Sequence, residues 1–394
     1  MHIFLFYSMV KIKINKEMKL MFFTPQLSNF GGIERTITDK ANYLANKGHF
    51  VTIVTYEQLN RPYAYSLDAK VQHVDLTSSF NLLYRYPIYK RIIKYFSMLF
   101  LLRKKLKKIV TSFCPDIIVI TAPDTEHYLK SVFSVSNGAK IVIESHNTFN
   151  NHFNKIGLWC SFSYFFQRPK IFFRKADLII SLTEGDAKCW RNFQVKRNKV
   201  VPNPVTIFGE NIENVKKDPY RIISVGRLHF GKRFDRLIYA FSLISSNYPM
   251  WHLTIFGEGE EKENLVNLIT QLNLVDRVSI SDVTRNIFPE YLNSQFLVVS
   301  SDYEGFSLVL VEAMSCGLPC VSTACPFGPI EIIENGVSGL LTKLNENDLA
   351  DKMEWMIVHE KERIEMGKQA YLASKRYQIE SVMKEWERAY QSVL

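Results

Sequence analysis

The sequence predicts two α/β units in series, each a doubly wound parallel sheet, facing one another across a cleft. Three observations predict this. Short apolar runs without polar alternation recur along the chain and suit strands covered on both faces. Segments with helical spacing separate them, and such alternation implies parallel layers joined by right-handed crossovers. The rhythm runs to about residue 200 and then restarts, with the polar stretch Pro202–Tyr220 between the halves as a linker.

The first 17 residues hold an apolar run, Ile3 to Val10, followed rather than preceded by Lys11, Lys13 and Lys16, which makes a poor signal peptide. They read as an N-terminal extension (1–17), and the sequence does not decide between Met1 and Met18 as the start. Leu20–Thr24 is a strand closed by Pro25. Gly31-Gly32 then opens a helix with Ile33, Ile37, Ala41, Leu44 and Ala45 on one face, ended by Gly48. Strands Phe50–Tyr56, Asp116–Thr121, Lys140–Glu144 and Asp177–Leu182 complete a first domain over 18–206. In the second, 207–394, strands Arg221–Gly226, His252–Gly257, Phe296–Ser300 and Cys320–Ser322 alternate with helical segments around Phe234–Ser246, Glu260–Leu272 and Ser307–Cys316. The final helical segments, Asp348–Val393, are expected to cap the second domain. Ligands of such sheets sit beyond the carboxyl ends of the strands.

The composition, 47% apolar and 22% charged, excludes disorder, collagen and low-complexity repeats. Six cysteines in 394 residues are too few for a disulfide scaffold, and Cys316, Cys320 and Cys325 read as reduced apolar residues of a cytoplasmic protein. No stretch of 18 apolar residues is free of charge, so no transmembrane helix is expected. The net charge of +10 divides unevenly: residues 1–206 carry +17 and residues 207–394 carry −7. A first half of that charge should seek a polyanion.

No Walker A, HExxH, GxSxG or Asp-x-Asp pattern occurs, and Gly257-Glu-Gly259 lacks the third glycine of a dinucleotide fingerprint. Two stretches carry suitable chemistry. Gly226–Lys232 follows a strand, so Arg227 and Lys232 emerge at the cleft, where a guanidinium and an ammonium can balance a diphosphate without metal. Spacing alone equally allows two solvated loop cations. In Asp302–Met314, Gly305 permits close backbone approach, and a helix opening near Ser307 presents free N–H groups to an anion. Glu304 stands before that helix and Glu312 two turns on, among apolar neighbours, where ribose hydroxyls or a salt bridge would partner it.

These residues closely resemble retaining glycosyltransferases of family 4, which have the GT-B fold of two Rossmann-like domains. The G-R-L-x3-K stretch from Gly226, E-G-F-x5-E from Glu304, A-M-S-C-G-L-P-C-V from Ala313 and the segment Cys325–Gly336 all fit, as does Gly31-Gly32-Ile-Glu34-Arg35. The resemblance implies transfer of a sugar from a nucleotide sugar. By it, Arg227 and Lys232 hold the donor diphosphate and Glu312 the ribose. Glu304 lies near the sugar, the backbone of Gly305, Phe306 and Ser307 surrounds sugar and phosphates, and the Gly31 and Gly32 amides close from the other domain. His146, after strand Lys140–Ile143, is the candidate for sugar contact or transition-state support; a structural loop histidine is the plainer reading. Glu144 receives no chemistry. No metal or cofactor is implied. Ser281-Asp282-Val283 stands where many relatives have a glycine bordering the base. Uridine is expected from Gly328-Pro329-x-Glu331, with GDP-mannose as the alternative.

From Leu76 to Pro115 there is no acidic residue but nine Lys and Arg, interleaved with Tyr86, Ile88, Tyr89, Ile92, Ile93, Tyr95, Phe96, Leu99 and Phe100. A second acid-free stretch, Ser145–Ala176, is rich in aromatics. Such segments suit an anionic membrane interface, although helices with a cationic outer face would look alike. A lipid-linked saccharide acceptor on the inner face of the cell membrane would explain both charge and aromatics. The expected protein is a cytoplasmic, peripheral enzyme of surface-polysaccharide or lipopolysaccharide synthesis. A nucleotide-sugar epimerase on the same fold and a basic nucleic-acid-binding protein are the rival readings; no nucleic-acid module is present.

Overall fold

The computed structural model describes residues 17–78, 80–121, 126–149, 169–205 and 218–394. Residues 1–16 of the extension, the middle of the second aromatic stretch and the domain boundary near 206 lie outside the described residues.

Among the described residues the first sheet has seven parallel strands: β1 (Lys19–Thr24), β2 (Phe50–Thr55), β3 (Gln72–Asp75), β4 (Ile117–Ile120), β5 (Lys140–Ser145), β6 (Leu178–Ser181) and β7 (Asn198–Val200). Their spatial order is β3-β2-β1-β4-β5-β6-β7. The second has six: β8 (Arg221–Val225), β9 (His252–Phe256), β10 (Val278–Ser281), β11 (Phe296–Val299), β12 (Cys320–Thr323) and β13 (Gly339–Thr342), ordered β10-β9-β8-β11-β12-β13. Both are the doubly wound sheets expected. The order reverses between β1 and β4 and again between β8 and β11, and such switch points open the crevice in which ligands sit.

Central strands bury both faces, as their unbroken apolar runs require: every residue of β4 and β11 is buried. Strands β3 and β7 escape the sequence reading because they are short, polar edge strands with partly exposed side chains.

The helices flanking the first sheet are α1 (Gly32–Asn46), α2 (Ile88–Phe113), α3 (Glu126–Val135), α4 (Pro169–Lys175) and α5 (Glu184–Asn192). Those of the second half are α6 (Phe234–Ser245), α7 (Lys262–Gln271), α8 (Phe288–Leu292), α9 (Leu308–Ser315), α10 (Gly328–Ile332), α11 (Glu346–Val358), α12 (Glu360–Ser374) and α13 (Ile379–Gln391). Cys316, Cys320 and Cys325 are buried and unbridged.

The final helix departs from expectation. Helix α13 does not confine itself to the second domain but lies against the first. Trp386 donates its indole N–H to the Pro202 carbonyl at 2.8 Å. Tyr390 packs edge-on against Phe22 of β1, and its hydroxyl donates to Glu144 of β5 at 2.6 Å. The reason is amphipathic: Val382, Met383, Trp386, Ala389 and Tyr390 form one apolar face, too wide to leave in water.

Candidate active site

The site is built from loops at the carboxyl ends of β1, β5, β8 and β11. Gly31 occupies the N-cap of α1 in an extended conformation, with no side-chain cap on the first-turn amides. Gly32 meets the second domain directly: a Cβ there would stand 2.9 Å from Leu308 Cδ1. The glycine loop therefore packs against the other domain's helix α9.

After β8, Arg227 is largely exposed, and its guanidinium lies 3.4 Å from Glu260. Lys232 turns inward and donates to Glu304 Oε1 at 2.7 Å. Ser301 donates to the same oxygen at 2.7 Å. The structure thus joins Lys232 and Glu304 but sets Arg227 on the rim. Lys232 is a paired cation of the cleft, whereas Arg227, exposed beside an exposed Glu260, keeps the solvated loop position that spacing also allowed.

Helix α9 starts at Leu308 with Ser307 as its N-cap. Ser307 is 2% exposed, and its hydroxyl has no hydrogen-bond partner among the described residues. A buried unsatisfied hydroxyl beside free helix amides is a feature of anion sites. Gly305 lies against the first domain's backbone, where a Cβ would stand 2.6 Å from the His146 carbonyl oxygen. Phe306 is buried, with its ring edge-on to Tyr377. The loop is held by Gly328, whose N–H donates to the Glu304 carbonyl at 3.2 Å.

Glu312 is buried, and its partner is the salt bridge that the sequence allowed, formed with the other domain. Its Oε1 lies 3.1 Å from Arg35 Nη1, and Oε2 accepts from Tyr291 at 3.1 Å. Burial raises its pKa, and the Arg35 charge works against that rise. Glu34, one residue before, is pushed up to about 7 by burial, with Arg227 among the groups opposing it.

His146 sits at the end of β5 and is buried. Its Nε2 lies 2.8 Å from Glu144 Oε2. An ionised carboxylate only accepts, so Nε2 carries the proton there. Glu144 also accepts from Lys40 Nζ at 2.6 Å and from Tyr390 at 2.6 Å. Burial alone would raise its pKa, but Lys40 and His146 hold Glu144 at about 2. Lys40 is wholly buried, with its ammonium 3.6 Å from the centre of the Trp386 ring. Burial lowers its pKa and Glu144 opposes that.

Sequence reasoning missed this set. Lys40 and Glu144 stand 104 positions apart, so no local pattern pairs them. It also gave no role to Arg35 or Tyr291. Glu331 was noted only within its motif; its carboxylate accepts from the Glu184 and Gly185 amides at 2.8 Å each. It caps α5 of the first domain from α10 of the second.

Together these groups can bind a diphosphate through cations and helix amides, a diol through Glu312, and a sugar between Glu304 and the His146 backbone. Residues 30–207 match the family described as Glycosyltransferase Family 4, and residues 208–373 match Glycosyl transferases group 1. An uncharacterised glycosyltransferase of Methanocaldococcus jannaschii is 30% identical over 72% of this chain and 81% of its own. The amylovoran biosynthesis glycosyltransferase AmsD of Erwinia amylovora is 26% identical over 93% and 98%. A Campylobacter jejuni transferase, named for adding N-acetyl-D-galactosamine to a diphospho-undecaprenol-linked saccharide, is 24% identical over 94% and 97%. Among solved structures, S. aureus TarM in complex with UDP and alpha-GlcNAc-glycerol superposes with a TM-score of 0.74 at 17% identity, over 95% of this chain and 100% of that one. This chain belongs to glycosyltransferase family 4.

Proposed function

We propose that the enzyme transfers a hexose or N-acetylhexosamine, with retained anomeric configuration, from a UDP-sugar to a lipid-linked saccharide in surface-polysaccharide or lipopolysaccharide synthesis. One observation carries this reading: Lys232, from the loop after β8, meets Glu304 in the loop that leads directly into α9, with Ser307 at that helix's N-terminus and Glu312 within it. Departure of a nucleoside diphosphate needs its developing charge stabilised more than it needs a strong base. Lys232, the α9 N-terminus and Arg227 swinging in from the rim supply that stabilisation, so transfer is expected to proceed without metal. Glu304 and His146 border the sugar.

The choice of uridine is supported by the UDP held in TarM. The Gly328–Glu331 stretch supports it only by resemblance, since Glu331 here straps the domains together. A lipid-linked acceptor is supported by the name of the Campylobacter relative and by α2. Ile88, Tyr89, Ile92, Ile93, Phe96 and Phe100 are all exposed on the first half of that helix. Lysines and arginines lie among them, each adding about 1 kcal/mol at an anionic surface. No described helix is long and apolar enough to cross a membrane. The enzyme would therefore rest on the inner face of the cell membrane through α2.

The test is transfer from a panel of UDP- and GDP-sugars to an undecaprenyl-diphosphate-linked saccharide, with EDTA present, and NMR of the product. An α-linked product from one UDP-sugar supports the reading. Transfer only from a GDP-sugar, inversion at the anomeric carbon, or sugar epimerisation without acceptor would each overturn the corresponding part.

A further inference from the structure

We propose that Arg35 is a positioning residue for the ribose carboxylate Glu312, reaching it across the cleft so that ribose recognition is completed only when the two domains meet. The proposal rests on the reading that Glu312 takes the donor's ribose.

Arg35 belongs to the first turn of α1 in the first domain, and Glu312 to α9 in the second. Arg35 Nη1 is 3.1 Å from Glu312 Oε1. The guanidinium is fixed from other sides as well. It lies 5.3 Å from the Phe288 ring and 5.8 Å from the Tyr65 ring, and its Nε is 3.7 Å from Asp39 one turn along α1. With Asp39, Tyr63, Tyr65 and Arg285 it lines a cavity of about 490 Å³ between the domains.

The lone-pair count of the carboxylate gives this contact its meaning. An ionised carboxylate offers about four acceptor sites, two on each oxygen. Tyr291 takes one on Oε2, while Arg35 faces Oε1 as an ion pair. At least one site then remains open on each oxygen, the number that two vicinal hydroxyls of a ribose require. Protonation would consume one of them and turn an acceptor into a donor.

Ionisation depends on the surroundings. Glu312 is buried, which favours its neutral form. The titratable groups around it are Arg35 and Asp39 on α1, Tyr65 in the loop between β2 and β3, Tyr291 on α8 and Cys316 just beyond α9. Among these Arg35 alone is cationic. The second domain holds the carboxylate, and the first brings the charge that keeps it ionised and aimed. A nucleotide with an intact ribose therefore gains affinity from closure that a deoxygenated one does not.

The test is calorimetric binding of UDP and of 2′,3′-dideoxy-UDP to the full chain, from about pH 6 to about pH 9, for wild type, Arg35→Met and Arg35→Lys. Wild type should prefer UDP across the range. Arg35→Met should lose roughly tenfold of that preference near neutrality, the scale of one charge-assisted hydrogen bond. It should regain the preference as pH rises, because Glu312 without its counter-charge ionises later. Arg35→Lys should restore much of it, which also guards against a folding defect. Equal weakening for both nucleotides at every pH would make Arg35 a domain strut and overturn the proposal, as would an unchanged preference. Wild type binding neither nucleotide would instead overturn the donor reading on which the proposal stands.

Discussion

The chemistry of single residues decides most of what this cleft can do. Glu144 shows how. Its sequence neighbours mark it only as a carboxylate at a strand end, and its meaning comes from Lys40 and Tyr390, which the fold brings from far away in the chain. Replacing Lys40 by Met leaves the buried carboxylate without its cation, and such losses cost about 3–5 kcal/mol; urea unfolding at neutral pH measures it. The pH dependence has a definite sign. A carboxylate held below its usual value stabilises the fold above the unfolded-state pKa, and that stability is lost as pH falls towards about 2. Glu144→Gln should flatten this part of the acid-unfolding curve. Lys232 was partly legible, since a cation after a strand in G-R-L-x3-K can reach the cleft or stay in solvent, and its contact with Glu304 decides between them. Lys232→Ala should lower kcat by about 10²-fold or more, as loss of a transition-state charge partner does.

At the scale of elements, the central strands were legible, while the edge strands and the core-facing helices α3 and α5 were not singled out. Strand β11 declares itself by continuous apolar residues, whereas β3, reading Gln-His-Val-Asp, exists because a neighbour offers free backbone groups. Loops carry function where two elements touch. Gly305 is such a place, since a Cβ would strike the His146 carbonyl rather than a yielding side chain. Gly305→Ala should therefore impair closure. Steady-state kinetics should show a large fall in kcat, and UDP binding by the second domain alone should weaken far less; equal losses would place the defect in the nucleotide pocket. Helix α2 makes a separate claim. Ile92→Glu with Phe96→Glu should abolish sedimentation with phosphatidylglycerol vesicles and leave transfer to a soluble acceptor intact. Retention of vesicle binding would assign the apolar face another role.

Across the whole molecule, the repeated strand–helix rhythm made the two-domain fold readable, because each half buries its sheet by the same local rules. What the rhythm could not reveal is how the halves are tied. The strap runs through α13, Glu331 and Arg35, contacts set by tertiary geometry and not by spacing. Trp386→Ala, removing a fully buried ring that covers Lys40, should destabilise the protein by about 3–5 kcal/mol. A single, lowered calorimetric transition would show that both domains melt together. The charge asymmetry belongs to this scale too; in the proposed function the basic half would face the acceptor and the acidic half would hold the donor. The central claim is a metal-independent nucleoside-diphosphate site between them, and UDP-induced thermal stabilisation tests it most directly. With UDP at about 100 times its dissociation constant the fold should gain about 2.7 kcal/mol, equally in EDTA and magnesium, and the gain should vanish in Glu312→Ala and shrink in Lys232→Ala. Stabilisation that requires magnesium, or that survives in Glu312→Ala, would contradict the account.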